Sequence, residues 1–200
     1  MDDLIGDIFS VKRHQPDPVA GSLLVAAPVL GDSCFSHALV CVIEHSADVG
    51  TMGLVTNKES GYMLDELVRD IDTFCDIPVF IGGPVHNDQL YYLHTLGGAI
   101  PGSLEIADGL YIGGDFEAVK SYVAGGCQVE GRMRFFVGYS GWTSGQLRQE
   151  LDNHDWVVSK MLEPGDVIVD KGESAWRAQV SLLGENYRMW LNCPGDVSFN

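Results

Sequence analysis

HALVCVIEHSADVGTMGLVTN, residues 37–57, is the stretch that decides the fold. His37 to Glu44 is an apolar, β-branched run, and Gly53 to Asn57 is a second one. Between them, Ser46-Ala47-Asp48-Val49-Gly50 has the chemistry of a turn. Short apolar runs bounded by Ser, Asp, Asn and Gly read as strands, and a turn-rich link this short folds two of them into an antiparallel hairpin. Upstream, Ser22-Leu23-Leu24-Val25-Ala26-Ala27, closed by Pro28, reads as a buried strand. Residues 1–20 form an arm: Leu4, Ile5, Ile8 and Phe9 recur at helical spacing over residues 2–10, and Pro16 and Pro18 then interrupt regular structure. Residues 21–200 make one domain.

Downstream the same logic continues. Tyr62 to Ile71 carries Leu64, Leu67, Val68 and Ile71 on one face and is expected to be an amphipathic helix. Pro78-Val79-Phe80-Ile81 is a short strand ending at Gly82-Gly83-Pro84, and Leu90 to Thr95 is another. Leu104–Ala107 and Leu110–Ile112 flank Asp108-Gly109, a two-residue hairpin signal because both positions tolerate positive φ. Asp115 caps a helix that runs to Ala124 and stops at Gly125-Gly126. Arg132 to Tyr139 reads as a strand. Thr143 to Leu151 reads as a helix with Thr143 and Gln146 as a capping box. A strand at Trp156 to Ser159 and a helix at Ala175 to Leu183 follow. Strands joined by hairpins with few helices between them argue for α+β: a bent, mostly antiparallel sheet tending to a pseudo-barrel, with helices packed outside.

Twelve basic and 28 acidic side chains give a formal net charge of −16. The first hundred residues carry 4 basic and 14 acidic groups and the second hundred 8 and 14, so no cationic half is hidden. Affinity for DNA rests largely on neutralised phosphates, and direct nucleic-acid binding is not expected. Arg132 and Arg134, alternating with Met133 and Phe135, are too few for a phosphate-tracking stripe and are read as partners of nearby acids. Cys34, Cys41, Cys75, Cys127 and Cys193 are odd in number and scattered without a C-x-x-C pair, which fits a reducing, cytoplasmic compartment. Cys41 sits in an apolar run as a small core hydrophobe. The acidic start and the lack of an apolar run near ~20 residues argue against a secretory signal or a membrane span.

Gly138-Tyr139-Ser140-Gly141-Trp142 lies between a predicted strand and a predicted helix, the setting of a nucleophile elbow. The elbow needs a small residue where Trp142 stands, so the stretch is read as a tight turn feeding a helix start, a potential anion site. Gly82-Gly83-Pro84 allows close backbone approach. His14, His37, His45, His86, His94 and His154 show no H-x-x-x-H spacing; His37 and His45 would lie roughly 26 Å apart along one strand. Asp70, Asp72 and Asp76 lack the glycine and terminal glutamate of a calcium loop. No metal and no cofactor is called for. Trp142, Trp156, Trp176 and Trp190 read as core or subunit-contact anchors.

The motifs also resemble a known family. Gly21-Ser22-Leu23-Leu24-Val25-Ala26-Ala27-Pro28 with Asp32 and Phe35, and Glu44-His45-Ser46 followed by Gly53-Leu54-Val55-Thr56-Asn57, look like blocks of the AlgH/YqgE family. So do Gly82-Gly83-Pro84-Val85, Leu93-His94, Gly109-Leu110-Tyr111, and Phe136-Val137-Gly138-Tyr139-Ser140-Gly141-Trp142 with Gly145-Gln146-Leu147. The family often has Pro where Ser144 stands and other small residues at Ser140; the last forty residues match less clearly. The resemblance implies a compact α+β fold with a barrel-like sheet. Most members are uncharacterised bacterial proteins, and the AlgH name carries a proposed role in transcriptional regulation of alginate production.

These readings converge on a non-enzymatic regulatory or binding protein. Its surface is built from Asn57, Gly82, Gly83, Pro84, Gly138, Tyr139, Ser140, Gly141 and Trp142, and it acts through a protein partner or small molecule. The alternative is an enzyme of unknown reaction with Glu44, His45 and His94 as acid–base candidates. A homo-oligomer assembled through the arm and the tryptophans is a third reading.

Overall fold

The computed structural model describes residues 15–30, 34–71, 73, 75–126, 128–161, 163–169 and 171–193. The expected helix over residues 2–10, together with His14, Asp32, Asp72 and Cys127, lies outside them.

The hairpin that decides the fold forms. Strand β2 (Leu39–Ser46) turns at Ala47–Val49 into β3 (Gly50–Val55), and β1 (Ser22–Ala26) pairs antiparallel with β2. The hairpin reaches closer to its turn than the apolar runs suggested, because His45 pairs with Thr51 and Ser46 with Gly50. After it come β4 (Glu59–Met63), α1 (Leu64–Leu67), β5 (Pro78–Ile81), β6 (Val85–His94), a 3-10 turn at Gly97–Ala99, β7 (Leu104–Ala107) and β8 (Leu110–Ile112). Then follow α2 (Phe116–Ala124), β9 (Met133–Thr143), α3 (Gln146–Asp152), β10 (Trp156–Lys160), α4 (Asp166–Val169), α5 (Gly172–Leu182) and a 3-10 segment at Glu185–Asn192.

Among the described residues the strands make one ten-stranded sheet in the order β10-β1-β2-β3-β9-β6-β8-β7, with β4 on β5 and β5 on β9. Every pair is antiparallel except β5 with β9. The sheet curls into a half-barrel with several helices, the α+β class expected. Strand alternation sorts the core. In β1, Leu24 and Ala26 join a cluster with Trp142, Trp156 and α3, whereas Val25 joins Trp176, Trp190 and α5. All four tryptophans are buried. Cys41 is fully buried among apolar neighbours, and desolvation pushes its thiol up to about 12, so it serves as the small hydrophobe expected.

Two elements differ from expectation. The helix expected over Tyr62–Ile71 shrinks to the single turn α1, because Glu59–Met63 pairs with β5 and Gly61 takes a φ of +84°. Leu64 still reaches the core, but Leu67 is exposed. The second difference matters more for the site: β9 does not end at Tyr139 but runs on to Thr143. The Gly138–Trp142 stretch is therefore strand, not a turn feeding a helix. Helix α3 begins only after Gly145, with Thr143 N–H donating to Gln146 Oε1 at 3.0 Å.

Candidate functional site

Strand β9 is flanked on one edge by β5 and β3 and on the other by β6. The chain must step from one edge of β9 to the other between Ile81 and Val85, and Gly82-Gly83 make that step. A Cβ on Gly82 would lie 2.2 Å from the carbonyl oxygen of Gly138, and one on Gly83 2.3 Å from the carbonyl carbon of Tyr139. No side chain fits where two backbones cross this closely. The Gly82 carbonyl accepts from Val55 N–H at 2.8 Å and from the Ser140 hydroxyl at 3.1 Å, and Gly82 N–H donates to Val137 at 2.8 Å. Pro84 follows at the exposed end of the crossing.

At the same point β9 changes phase. Met133 and Phe135 face the cluster around α2, while Phe136 faces the opposite one with Phe80 and Leu93. Simple alternation would send residue 139 to the first side. Gly138 adopts a φ of +68°, and Tyr139 instead packs beside the cluster that holds Phe136. Strand β6 bulges opposite: Val85 lies across from Tyr139 and Leu90 across from Val137, so β6 advances five positions where β9 advances two. Bulges re-aim side chains in this way.

The re-aimed Tyr139 meets Tyr91 edge-on (centroids 5.9 Å apart, planes at 70°) and His86 nearly parallel (5.8 Å, 18°). Burial, then Tyr139 and the Asp88 carboxylate, raise the Tyr91 phenol above its ordinary range, and its hydroxyl donates to Gln89 Oε1 at 2.7 Å. These rings border an open concavity of about 630 Å³ over β3, β6 and the end of β9, which also takes in Glu44, Val49, Met52 and Gly141. Glu44 lies opposite Met52, and Met52 opposite Gly141, so the three share one row of one sheet face.

Eight of the expected site residues fall into two sets. Tyr139, Gly141, Trp142 and Glu44 border the concavity. Gly82, Gly83, Gly138 and Ser140 lie buried behind it in the crossing. The Trp142 ring turns inward against Phe35 and Trp156, and its Nε1–H donates to Glu150 at 2.7 Å. Asn57, 1% exposed, is a knot. Its Oδ1 accepts from Leu39 N–H, its Nδ2 donates to the carbonyls of His37 and Gly172, and its carbonyl accepts from Gly172 N–H at 2.7 Å. It ties α5 to the hairpin.

The acid–base candidates stand apart. Glu44 and His45 are consecutive in a strand and face opposite sides; His45 Nδ1 lies 2.7 Å from Thr51 Oγ1. His94 is fully buried at the far end of β6, between Tyr92 and Tyr111. Its Nδ1 accepts from Leu96 N–H at 3.2 Å, which places the proton on Nε2, 3.1 Å from the carbonyl of Gly113. Desolvation lowers its pKa against the opposing effect of that carbonyl. Among the described residues no three His, Cys, Asp or Glu side chains could hold a metal ion, and no helix is long and apolar enough to cross a membrane.

Arg134 is not on a solvent face. It is buried, its guanidinium carbon sits 4.0 Å from the Phe80 ring centroid, and Nη1 donates to the Thr56 carbonyl at 2.6 Å. It borders a narrower cleft of about 320 Å³ beside Pro78, Met133 and Lys171. Sequence reasoning missed His86, Gln89, Tyr91 and Met52. The available signal was the pair Tyr91-Tyr92: alternation buries one ring and leaves the other facing outward.

A family profile described as AlgH-like matches residues 23–188. A UPF0301 protein of Parabacteroides distasonis is 38% identical over 97% of this chain and 98% of its own length. One from Bacteroides fragilis is 37% identical over 97% of both. Among solved structures, the solution structure of AlgH from Pseudomonas aeruginosa superposes with a TM-score of 0.69 at 26% identity, covering 94% of this chain and 100% of that one. A Corynebacterium diphtheriae protein superposes with a TM-score of 0.71 at 24% identity, over 89% and 94%, and shares the fold.

Proposed function

The chain belongs to the AlgH-like family of UPF0301 proteins, and from that premise we propose that it is a non-enzymatic binding protein of the cytoplasm whose contact surface is the concavity over β3, β6 and β9. The observation that carries this reading is the phase change at Gly138. A strand is bulged, and a backbone crossing is reduced to glycines, with the result that Tyr139 meets Tyr91 and His86 beside open space. A volume of about 630 Å³ falls in the size range of ligand sites. The non-enzymatic part is supported by the dispersal of Glu44, His45 and His94 and by the burial of Ser140, whose hydroxyl is committed to a carbonyl. Any regulatory output is assigned to this contact rather than to DNA, given the net charge of −16.

A fragment screen read by amide NMR tests the reading. Hits are expected to shift the amides of Thr51, His86, Gly141 and Thr143. Hits confined to the cleft beside Pro78 and Met133 would contradict it.

A further inference from the structure

Charge narrows the occupant, in a step that rests on the binding reading above. Among the described residues no lysine or arginine lines the concavity, and Glu44 is its carboxylate. Among the described residues Glu44 and the neighbouring Asp88 enter no ion pair. The paired cations lie elsewhere: Lys120 with Glu117, Arg148 with Asp17 and Asp152, Lys171 with Glu59, Arg177 with Glu173 and Arg188 with Glu185. Among the described residues an anionic ligand would find no lysine or arginine here, whereas a cationic one would find the Glu44 carboxylate.

The rings point the same way. Tyr91 and Tyr139 meet at 70° and form a two-walled corner, and aromatic faces attract an ammonium or guanidinium through the ring quadrupole. Met52, Val49 and Val85 supply apolar surface along which the aliphatic stem of a long cationic side chain can lie. The surface is wide and open, and Val49 at its rim is 82% exposed, which suits a chain segment passing over it rather than an enclosed metabolite. The net charge of −16 would draw such a segment in from a distance. We infer that the concavity receives an arginine or lysine side chain carried on a basic segment of a partner protein, with the cation in the Tyr91–Tyr139 corner and within reach of Glu44.

The test uses three fluorescent pentapeptides of one sequence, carrying arginine, citrulline or glutamate at two positions, titrated into the full chain by anisotropy and mapped by amide NMR. The arginine peptide is expected to bind and to shift Gly141 and Thr143, with affinity falling as salt rises. The citrulline and glutamate peptides should bind at least about fivefold more weakly. Glu44→Gln, an exposed isosteric change, should weaken the arginine peptide about threefold, and Tyr139→Leu about fivefold. Citrulline binding as tightly, at the same amides, would overturn the cationic assignment and leave the binding surface standing. Arginine-peptide binding indifferent to Glu44→Gln and to Tyr139→Leu would also overturn it. If neither the peptides nor the fragments shift these amides, the surface itself is wrong.

Discussion

The hydroxyl of Ser140 donates to the carbonyl of Gly82 across 3.1 Å, and both residues are buried. This bond joins two stretches that the sequence alone marks only as glycine-rich, and it fixes the crossing that aims Tyr139. Because the Gly82 carbonyl keeps its bond from Val55 N–H, Ser140→Ala should cost only about 1 kcal/mol in urea denaturation. The serine points away from the concavity, so peptide binding there should be unchanged. Loss of binding at full stability would give Ser140 a direct role that this arrangement denies it.

The crossing itself is far less forgiving. A Cβ on Gly83 would meet backbone atoms of Tyr139 and Ser140 at 2.3 to 2.4 Å, at a φ of +153°. Gly83→Ala should cost about 3 kcal/mol or more, or prevent folding. Gly165→Ala, which meets nothing within 4 Å, should stay within about 0.5 kcal/mol of the parent. Thermal midpoints of the two variants give the comparison, and equal losses would refute the close approach.

Asn57→Ala would strand the Leu39 N–H and the carbonyls of His37 and Gly172. Three groups left short of a partner should cost about 3 kcal/mol. Hydrogen exchange should rise first in α5, which Asn57 ties down. Uniform acceleration across the sheet would show that Asn57 is not specific to that helix.

His94 should give the fold an acid limit. Its folded pKa is lowered from 6.5 by burial, so as pH falls below about 6.5 the unfolded chain takes up a proton that the folded chain refuses. Stability is therefore present above the unfolded value and declines below it, levelling off at the lower folded value. In His94→Gln the slope of stability against pH just below 6.5 should diminish, even though the variant is less stable throughout. An unchanged slope would mean that His94 titrates alike in both states.

Much of the fold was legible because its signals are local. Asp108-Gly109 lies in a hairpin turn, Asp115 caps α2 through the Glu117 N–H, and the residue 37–57 hairpin forms. Position 138 was harder, because glycine is required there for a reason the neighbours do not reveal. Read locally it means a turn; in the fold it is a strand bulge that leaves room for Gly83 and Asn87, whose oxygens a Cβ would approach to 2.5 Å. The helix expected at Tyr62–Ile71 failed likewise, since pairing with β5 outweighed helical periodicity. Tyr139 could be singled out from its place in the Gly138–Trp142 stretch. Its partners Tyr91 and His86 could not, because a non-local bulge in β6 brings them to it.

The most direct test of the concavity as a contact surface is photo-crosslinking in living cells. A photoreactive residue would replace His86 at the rim and, as a control, Glu117 on α2. The expected result is a discrete adduct with another protein from position 86 and none from position 117. Absence of an adduct at position 86, or the same adducts from both, would contradict the account.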